Sequence, residues 1–322
     1  MQIREYSGQV ITEPGIYANV PMAKYHSGKL CAGPSISSSG LRKIFSESEM
    51  AYWVESPLNP NRLIPKEKEA FILGRATHHL ALGEAHFHKQ FTIRPETLDG
   101  SKWNGNRHVC QNWEAQRQLE GLTILTPGQK EQILGMAGVL PWQANLEDSG
   151  LANSRMVQDG ILNGMIEHTI AFQDQETGIW LLSRPDAIPL DSTMNGDLKT
   201  TEDVSFSKLE MTISDWRYDM QAALARWALR VVCNIELTNF ALVFVMKQPP
   251  HAVRVIEIKH GDMDEAEKDL RVAIRAFARG IETGRWPGPG GTQMDAMFVG
   301  VTKWARDRAN ARRAFLEQEL AP

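Results

Sequence analysis

The stretch Arg184-Pro185-Asp186-Ala187-Ile188-Pro189-Leu190-Asp191-Ser192-Thr193-Met194-Asn195-Gly196-Asp197-Leu198-Lys199 sets acids and a lysine beside strongly apolar segments. Side chains of a strand alternate between its two faces, so Asp197 and Lys199, two apart, share one face. Met165 to Phe172 and Ile179 to Ile188 read as short strands, with Met194 to Lys199 as a third. Asp174-Gln175-Glu176-Thr177-Gly178 closes a first hairpin and Asp191-Ser192-Thr193 a second, both being short polar runs that tolerate turn geometry. Residues paired across an antiparallel hairpin have numbers that add to a constant, about 352 for the first turn and about 383 for the second. Glu167 then faces Asp186 to within one residue and Asp186 faces Asp197, so three acids converge on adjacent strands.

Working outward, Ser205 to Val232 reads as one long helix whose buried face holds Met220, Leu224, Trp227 and Val231. Asn239 to Met246 and Val253 to Lys259 form a β pair around Gln248-Pro249-Pro250-His251, and Leu270, Ile274, Phe277 and Ile281 mark another amphipathic helix. Toward the N-terminus, Glu67 to Leu82, Arg107 to Glu120 and Gly128 to Leu146 read as helices. Residues 1–65 are punctuated by prolines and read as a loosely organised arm with one helix, running from the N-cap hydroxyls of Ser37-Ser38-Ser39 to Tyr52-Trp53. The chain thus divides into an arm (1–65), a main domain (66–285, helical over 66–150 and strand-rich over 151–285) and a tail (286–322). That tail is a Gly/Pro linker followed by a basic helix in which Lys303, Arg306, Arg308, Arg312 and Arg313 face a single Asp307; such a helix is a solvated surface or a phosphate contact.

Composition narrows the class. With 42% hydrophobic and 23% charged residues the chain is globular. Its longest apolar run, near Ala241 to Met246, is far short of the ~20 residues of a membrane span, and Met1 to Glu5 is no signal peptide, so a cytoplasmic protein without a membrane partner is expected. The three cysteines, Cys31, Cys110 and Cys233, are scattered and signal neither a disulfide framework nor a metal cage. A net charge of −4 weighs mildly against a nucleic-acid partner, though it describes the average and not a patch.

Charge at the ends of apolar strands is costly unless it is partnered. Carboxylates crowded as Glu167, Asp186 and Asp197 are need a cation, and hard oxygen donors suit Mg²⁺ or Mn²⁺. An exposed polar sheet face with a salt bridge is the competing reading.

Pro185-Asp186 followed by Asp197-Leu198-Lys199 resembles the P-D…(D/E)-x-K signature of the PD-(D/E)xK nuclease superfamily. Gly74-Arg75-Ala76-Thr77-His78 resembles the G-x-A-x-H helix motif of its RecB-like branch, and Glu167 stands where that branch has an acid one strand earlier. Tyr218-Asp219-Met220-Gln221 is similar to its Y-x-x-Q motif, although Ala225 stands where an aromatic residue is expected. Ile36-Ser37-Ser38-Ser39-Gly40-Leu41 and Lys199-Thr200-Thr201 resemble segments of the phage and prophage exonuclease VIII (RecE-type) group.

The resemblance implies an α/β, restriction-endonuclease-like core, a small mixed β-sheet flanked by helices, with a largely helical N-terminal region. It makes Asp186, Asp197, Lys199 and Glu167 catalytic, with His78, Asp186, Asp197 and the backbone carbonyl of Leu198 holding Mg²⁺, for which Mn²⁺ can substitute. Gln221, Tyr218, Arg75 and Thr200 are the implied DNA contacts. The implied activity is ATP-independent 5′→3′ resection of linear duplex DNA by a ring-like homo-oligomer, phage- or prophage-encoded in a bacterial host, with a single-strand annealing protein as partner. The alternatives are a RecB-like single-strand exonuclease or endonuclease on the same core, or an inactive DNA-end-binding protein. A zinc site among His78, His79, His86 and His88 lacks the usual H-x-x-x-H spacing. Trp53, Trp103, Trp113, Trp142, Trp180 and Trp216 are candidates for stacking on bases or for core packing.

Overall fold

The computed structural model describes residues 2–64, 69–82, 87–140, 161–162, 164–189, 193–291, 296 and 299–320. Its centre is a three-stranded sheet, β12 (Met194–Thr201), β13 (Asn239–Met246) and β14 (Val253–Ile258), in that spatial order. β12 runs parallel to β13 with Asp197 beside Leu242 and Lys199 beside Phe244, and β13 and β14 form the antiparallel pair expected from their alternation. The period of two divides this sheet cleanly. Phe240, Leu242 and Phe244 face one core, shared with helices α9 (Tyr218–Ala228) and α10 (His260–Thr283). Leu198, Ala241, Val243 and Val245 face a second core, shared with α4 (Glu69–Ala81) and α7 (Pro127–Gly138). Each fully buried Phe contributes roughly 1.5–3 kcal/mol, so the sheet is held from both sides.

The expected first hairpin forms, with β9 (Thr169–Gln173) and β10 (Trp180–Ser183) joined by the Asp174–Gly178 turn, where Asp174 Oδ2 accepts from the backbone N–H of Thr177 at 3.0 Å. Its strands are interrupted, however. Glu167 adopts a left-handed φ of 54° and Pro185 offers no N–H to a ladder, so pairing stops and resumes as β8 (Met165–Ile166) against β11 (Ala187–Ile188). The register survives the break, because the backbone N–H of Glu167 donates to the carbonyl of Asp186 at 3.2 Å. The expected ladder between Asp186 and Asp197 is absent. β11 is only two residues long, and side-chain bonds take the ladder's place: Asn195 Nδ2 to the carbonyl of Ala187 at 2.6 Å, and the N–H of Leu198 to Asp186 Oδ2. Asp191 and Ser192 of the second turn lie outside the described residues, as do Glu67, Gln143 to Leu146, His86 and Trp142.

The N-terminal arm differs from expectation. β1 (Ile3–Glu5), β2 (Gly15–Ala18) and β3 (Ser35–Ser37) join β9 and β10 in one five-stranded sheet, ordered β1-β2-β9-β10-β3. A short helix α1 (Met22–Tyr25) precedes β3, and the expected single helix splits into α2 (Ser38–Ser46) and α3 (Glu49–Glu55). The split is chemical: Ser48 turns its hydroxyl onto the N–H of Ala51 and caps a new helix. The region after it is helical but for small strands. Following α4, α5 (Phe87–Gln90) leads into β4 (Phe91–Ile93), β5 (Thr97–Leu98) and β6 (Ser101–Lys102), then α6 (His108–Leu119), β7 (Thr123–Leu125) and α7.

Ser205 to Val232 is likewise two helices. α8 (Phe206–Asp215) ends before Arg217, which takes φ 49° and binds Asp219 and Asp269, and α9 starts there. α9 runs into a π turn, Leu229–Cys233, whose extra residue rotates the apolar stripe; Val231, expected inside, is 53% exposed. The last helix, α11 (Lys303–Leu320), buries no residue. Among the described residues no helix is long and apolar enough to cross a membrane.

Candidate active site

Asp186 and Asp197 meet where β11 passes the open edge of β12. Asp186 is buried and receives the N–H of Leu198 at 2.5 Å. A strand residue's N–H and C=O share one edge, so the carbonyl of Leu198 also faces this gap and not β13. Burial opposes the charge of Asp186, but the His78 imidazole, the Lys199 ammonium and the N–H of Leu198 outweigh it and hold the carboxyl below its usual range. Asp197 goes the other way, raised by burial and by the neighbouring Asp186 against the pull of Lys199.

His78 reaches the site from the opposite layer because α4 lies close to β12. Gly74, one turn before His78, lets the helix approach the strand closely: a Cβ there would stand 3.3 Å from Thr200 Oγ1, a tight contact. His78 Nδ1 lies 3.5 Å from Asp186 Oδ1, and although burial disfavours its imidazolium, Asp186 raises its pKa. The left-handed turn at Glu167 swings that carboxylate into the same space, where burial first and then Asp186 push it up to about 7. His78, Glu167 and Asp186 each offer a ligand atom within 4.8 Å of the others.

Lys199 forms an ion pair with Asp197 and sits 4.9 Å from the centre of the Tyr218 ring, which Arg42 approaches at 5.6 Å. Burial opposes the ammonium, yet Asp197 and the Tyr218 hydroxyl's field keep the Lys199 pKa raised. Gln221 donates its Nε2 to Asp197 Oδ1 at 2.7 Å. Tyr218 and Gln221, expected on DNA, therefore hold the two signature side chains from the first turn of α9.

His78, Glu167, Asp186, Asp197, Lys199 and Gln221 line a cleft of about 880 Å³ that is also lined by Arg42, Arg75 and Arg184. Arg75 lines the cleft, whereas Thr200 points to Gly74 on the far face of β12 and does not. Arg42 and Arg184 were not anticipated. Arg184 directly precedes Pro185-Asp186, ion-pairs Glu167 at 4.0 Å and donates to the carbonyl of Val20 at 2.6 Å, so the motif itself carried its signal. Arg42 had none, since its bond to the carbonyl of Trp216 spans 174 positions. Of the tryptophans, Trp53 stacks on Trp286 in the core and Trp180 is buried, while exposed Trp216 meets the cleft-lining Phe71 edge-on. Trp103 and Trp113 pack on each other, and His79 packs on Phe91.

A mixed sheet between helical layers, with P-D…D-x-K acids and lysine at its open edge, defines a PD-(D/E)xK nuclease fold. The model of a PDDEXK-like domain of unknown function (DUF3799) matches residues 37–295, and the chain belongs to that family. No curated protein matches. Two solved structures are similar: a candidate exonuclease from Eubacterium rectale (12% identity, 84% of this chain and 92% of that one, TM-score 0.49) and a phage-related exonuclease from Haemophilus somnus (14%, 78% and 96%, TM-score 0.32).

Proposed function

We propose that the chain is a Mg²⁺-dependent exonuclease, active also with Mn²⁺, that resects linear duplex DNA 5′→3′ and leaves 3′ single strands for an annealing protein. The observation that carries this reading is the convergence of Asp186, Asp197, Lys199, Glu167 and His78 in one arginine-lined cleft. Resection polarity, the annealing partner, a ring-like homo-oligomer, and phage or prophage origin in the bacterial cytoplasm follow from the RecE-type resemblance.

The donor set fits a hard divalent cation: two buried carboxylates, an imidazole and a third acid within reach, with Leu198's carbonyl on the same edge. When bound, such an ion supplies positive charge to the scissile phosphate and acidifies water. His78, Glu167, Asp186 and Asp197 would hold it. Lys199 would orient the attacking water and offset the charge that builds on phosphorus, with Tyr218 and Gln221 fixing the geometry of Lys199 and Asp197. Arg42, Arg75 and Arg184 would bind the flanking phosphates.

Digestion of 5′-labelled and 3′-labelled linear duplex beside a covalently closed circle, with Mg²⁺ or EDTA, tests this. Metal-dependent loss of the 5′ label from linear DNA alone is expected. Cutting of the circle would replace the exonuclease with an endonuclease, and no cutting at all would leave a DNA-end-binding protein.

A further inference from the structure

The C-terminal helix α11 has no place in the site, and its chemistry is distinct from that of the body. On the body, outside the cleft, five arginines are committed to carboxylates: Arg217, Arg226, Arg271, Arg275 and Arg279 each meet an Asp or Glu. On α11, Arg306, Arg308, Arg312 and Arg313 meet no carboxylate among the described residues. Arg308 lies over the ring of Trp304 and Arg312 over that of Phe315, each at 5.4 Å, and Arg306 donates to the carbonyl of Val301. Every residue of Lys303–Leu320 but one is exposed, and none is buried.

The helical period arranges these cations in two rows. Ala305, Ala309 and Leu316 lie along one line of the helix; Arg308 and Arg312 flank it on one side, Arg306 and Arg313 on the other, and Glu319 ends the first row and Glu317 the second, so the positive stretch is residues 303–313. Alanines let the helix approach a surface closely, and rows of guanidinium groups on both sides reach outward past it. That shape suits a groove with an anionic wall on each side. The major groove of B-form DNA, ~12 Å wide and bordered by two phosphate backbones, admits one helix in this way. A flat protein surface would leave one row or the other unused.

We infer that α11 is a DNA-binding arm that lies in the major groove of the duplex, its two arginine pairs clasping phosphates of opposite strands. This rests on the nuclease reading for the identity of the polyanion. Four phosphate contacts outside the cleft would keep the duplex on the protein between successive cuts, by a charge-driven grip that is indifferent to sequence.

The test uses the full chain in three forms: wild type, a variant with Arg306→Gln, Arg308→Gln, Arg312→Gln and Arg313→Gln, and one with the same four changed to Lys. All four side chains are exposed, so the body folds in each. Fluorescence anisotropy of a labelled blunt duplex, read in EDTA over a salt series, measures binding without cleavage. The Gln form is expected to bind at least about tenfold more weakly, with its log–log salt slope reduced by about 3 to 4, while the Lys form keeps the slope. Unchanged affinity and slope in the Gln form would overturn the arm, and so would unchanged DNA binding together with a smaller sedimenting species, which would make α11 a contact between copies. Digestion with Mg²⁺ separates the two readings: a wild type that shows the charge effect but never cuts removes the nuclease and keeps the arm, and one that cuts while the Gln form binds normally does the reverse.

Discussion

The backbone N–H of Leu198 donates to Oδ2 of Asp186 across 2.5 Å, tying the two halves of the P-D…D-x-K signature together although their strands share no ladder. Asp186 thereby fills one acceptor with a main-chain donor and turns its other oxygen toward His78 and Glu167. Asp186→Asn keeps the shape and loses the charge. It should bind Mn²⁺ at least tenfold more weakly by calorimetry and cleave at least about a hundredfold more slowly. Unchanged metal affinity would remove Asp186 from the ligand set.

Lys199 is the cation that accompanies the buried Asp197. Lys199→Ala should abolish cleavage, a loss on the order of 10²–10³ or more in kcat. It should also cost on the order of 3 kcal/mol in EDTA, because a buried carboxylate is left without its partner. Urea midpoints measured with and without Mn²⁺ check this: the deficit should shrink when the metal is added.

Gln221 donates to Asp197, which makes it a positioning residue in the proposed reaction. Gln221→Ala should lower kcat by roughly tenfold to a hundredfold, the worth of a charge-assisted hydrogen bond, with little change in KM for DNA. A rise in KM at constant kcat would return Gln221 to the role of a DNA contact.

Gly74 sets the distance between α4 and β12. Gly74→Ala gains up to about 1 kcal/mol of helix propensity against a tight contact with Thr200, so its stability should be near that of wild type. Gly74→Val must push the helix away and should cost about 1–3 kcal/mol. Since His78 rides on the same helix, Mn²⁺ affinity should fall with it, and calorimetry on the folded variant reads that.

Asp174 closes the first hairpin. Burial works against its charge, but hydrogen bonds from Thr177 and Arg271 hold the carboxyl below the ordinary range. With the folded pKa lower than the unfolded one, its stabilisation is present above about pH 4 and is lost as the pH falls through the folded value. Asp174→Asn should therefore be less stable than wild type by about 1–2 kcal/mol at pH 6, with the gap closing below pH 4 in urea titrations. A gap independent of pH would mean that the charge contributes nothing.

The amino-acid order by itself determined which acids and which lysine are brought to one cleft and how the first hairpin pairs. Glu167 opposite Asp186 follows from the turn and the period of two, and Asp197 beside Lys199 from that period alone, because these are local consequences of backbone geometry. The β13–β14 pair and α10 were legible for the same reason. Tertiary structure decided the rest. Whether 205–232 is one helix or two depends on Arg217 finding Asp269, 52 positions away, which stabilises a left-handed residue that no local propensity favours. The arm became three strands of a sheet because β9 and β10 offered edges to pair with, and an edge in space has no mark in the sequence. Thr200 turned from the cleft, and Arg42 turned into it, by the packing of layers far apart in the chain. A strand or helix is written in neighbours; a site is written in which faces meet, and burial makes that choice only when the whole chain has folded.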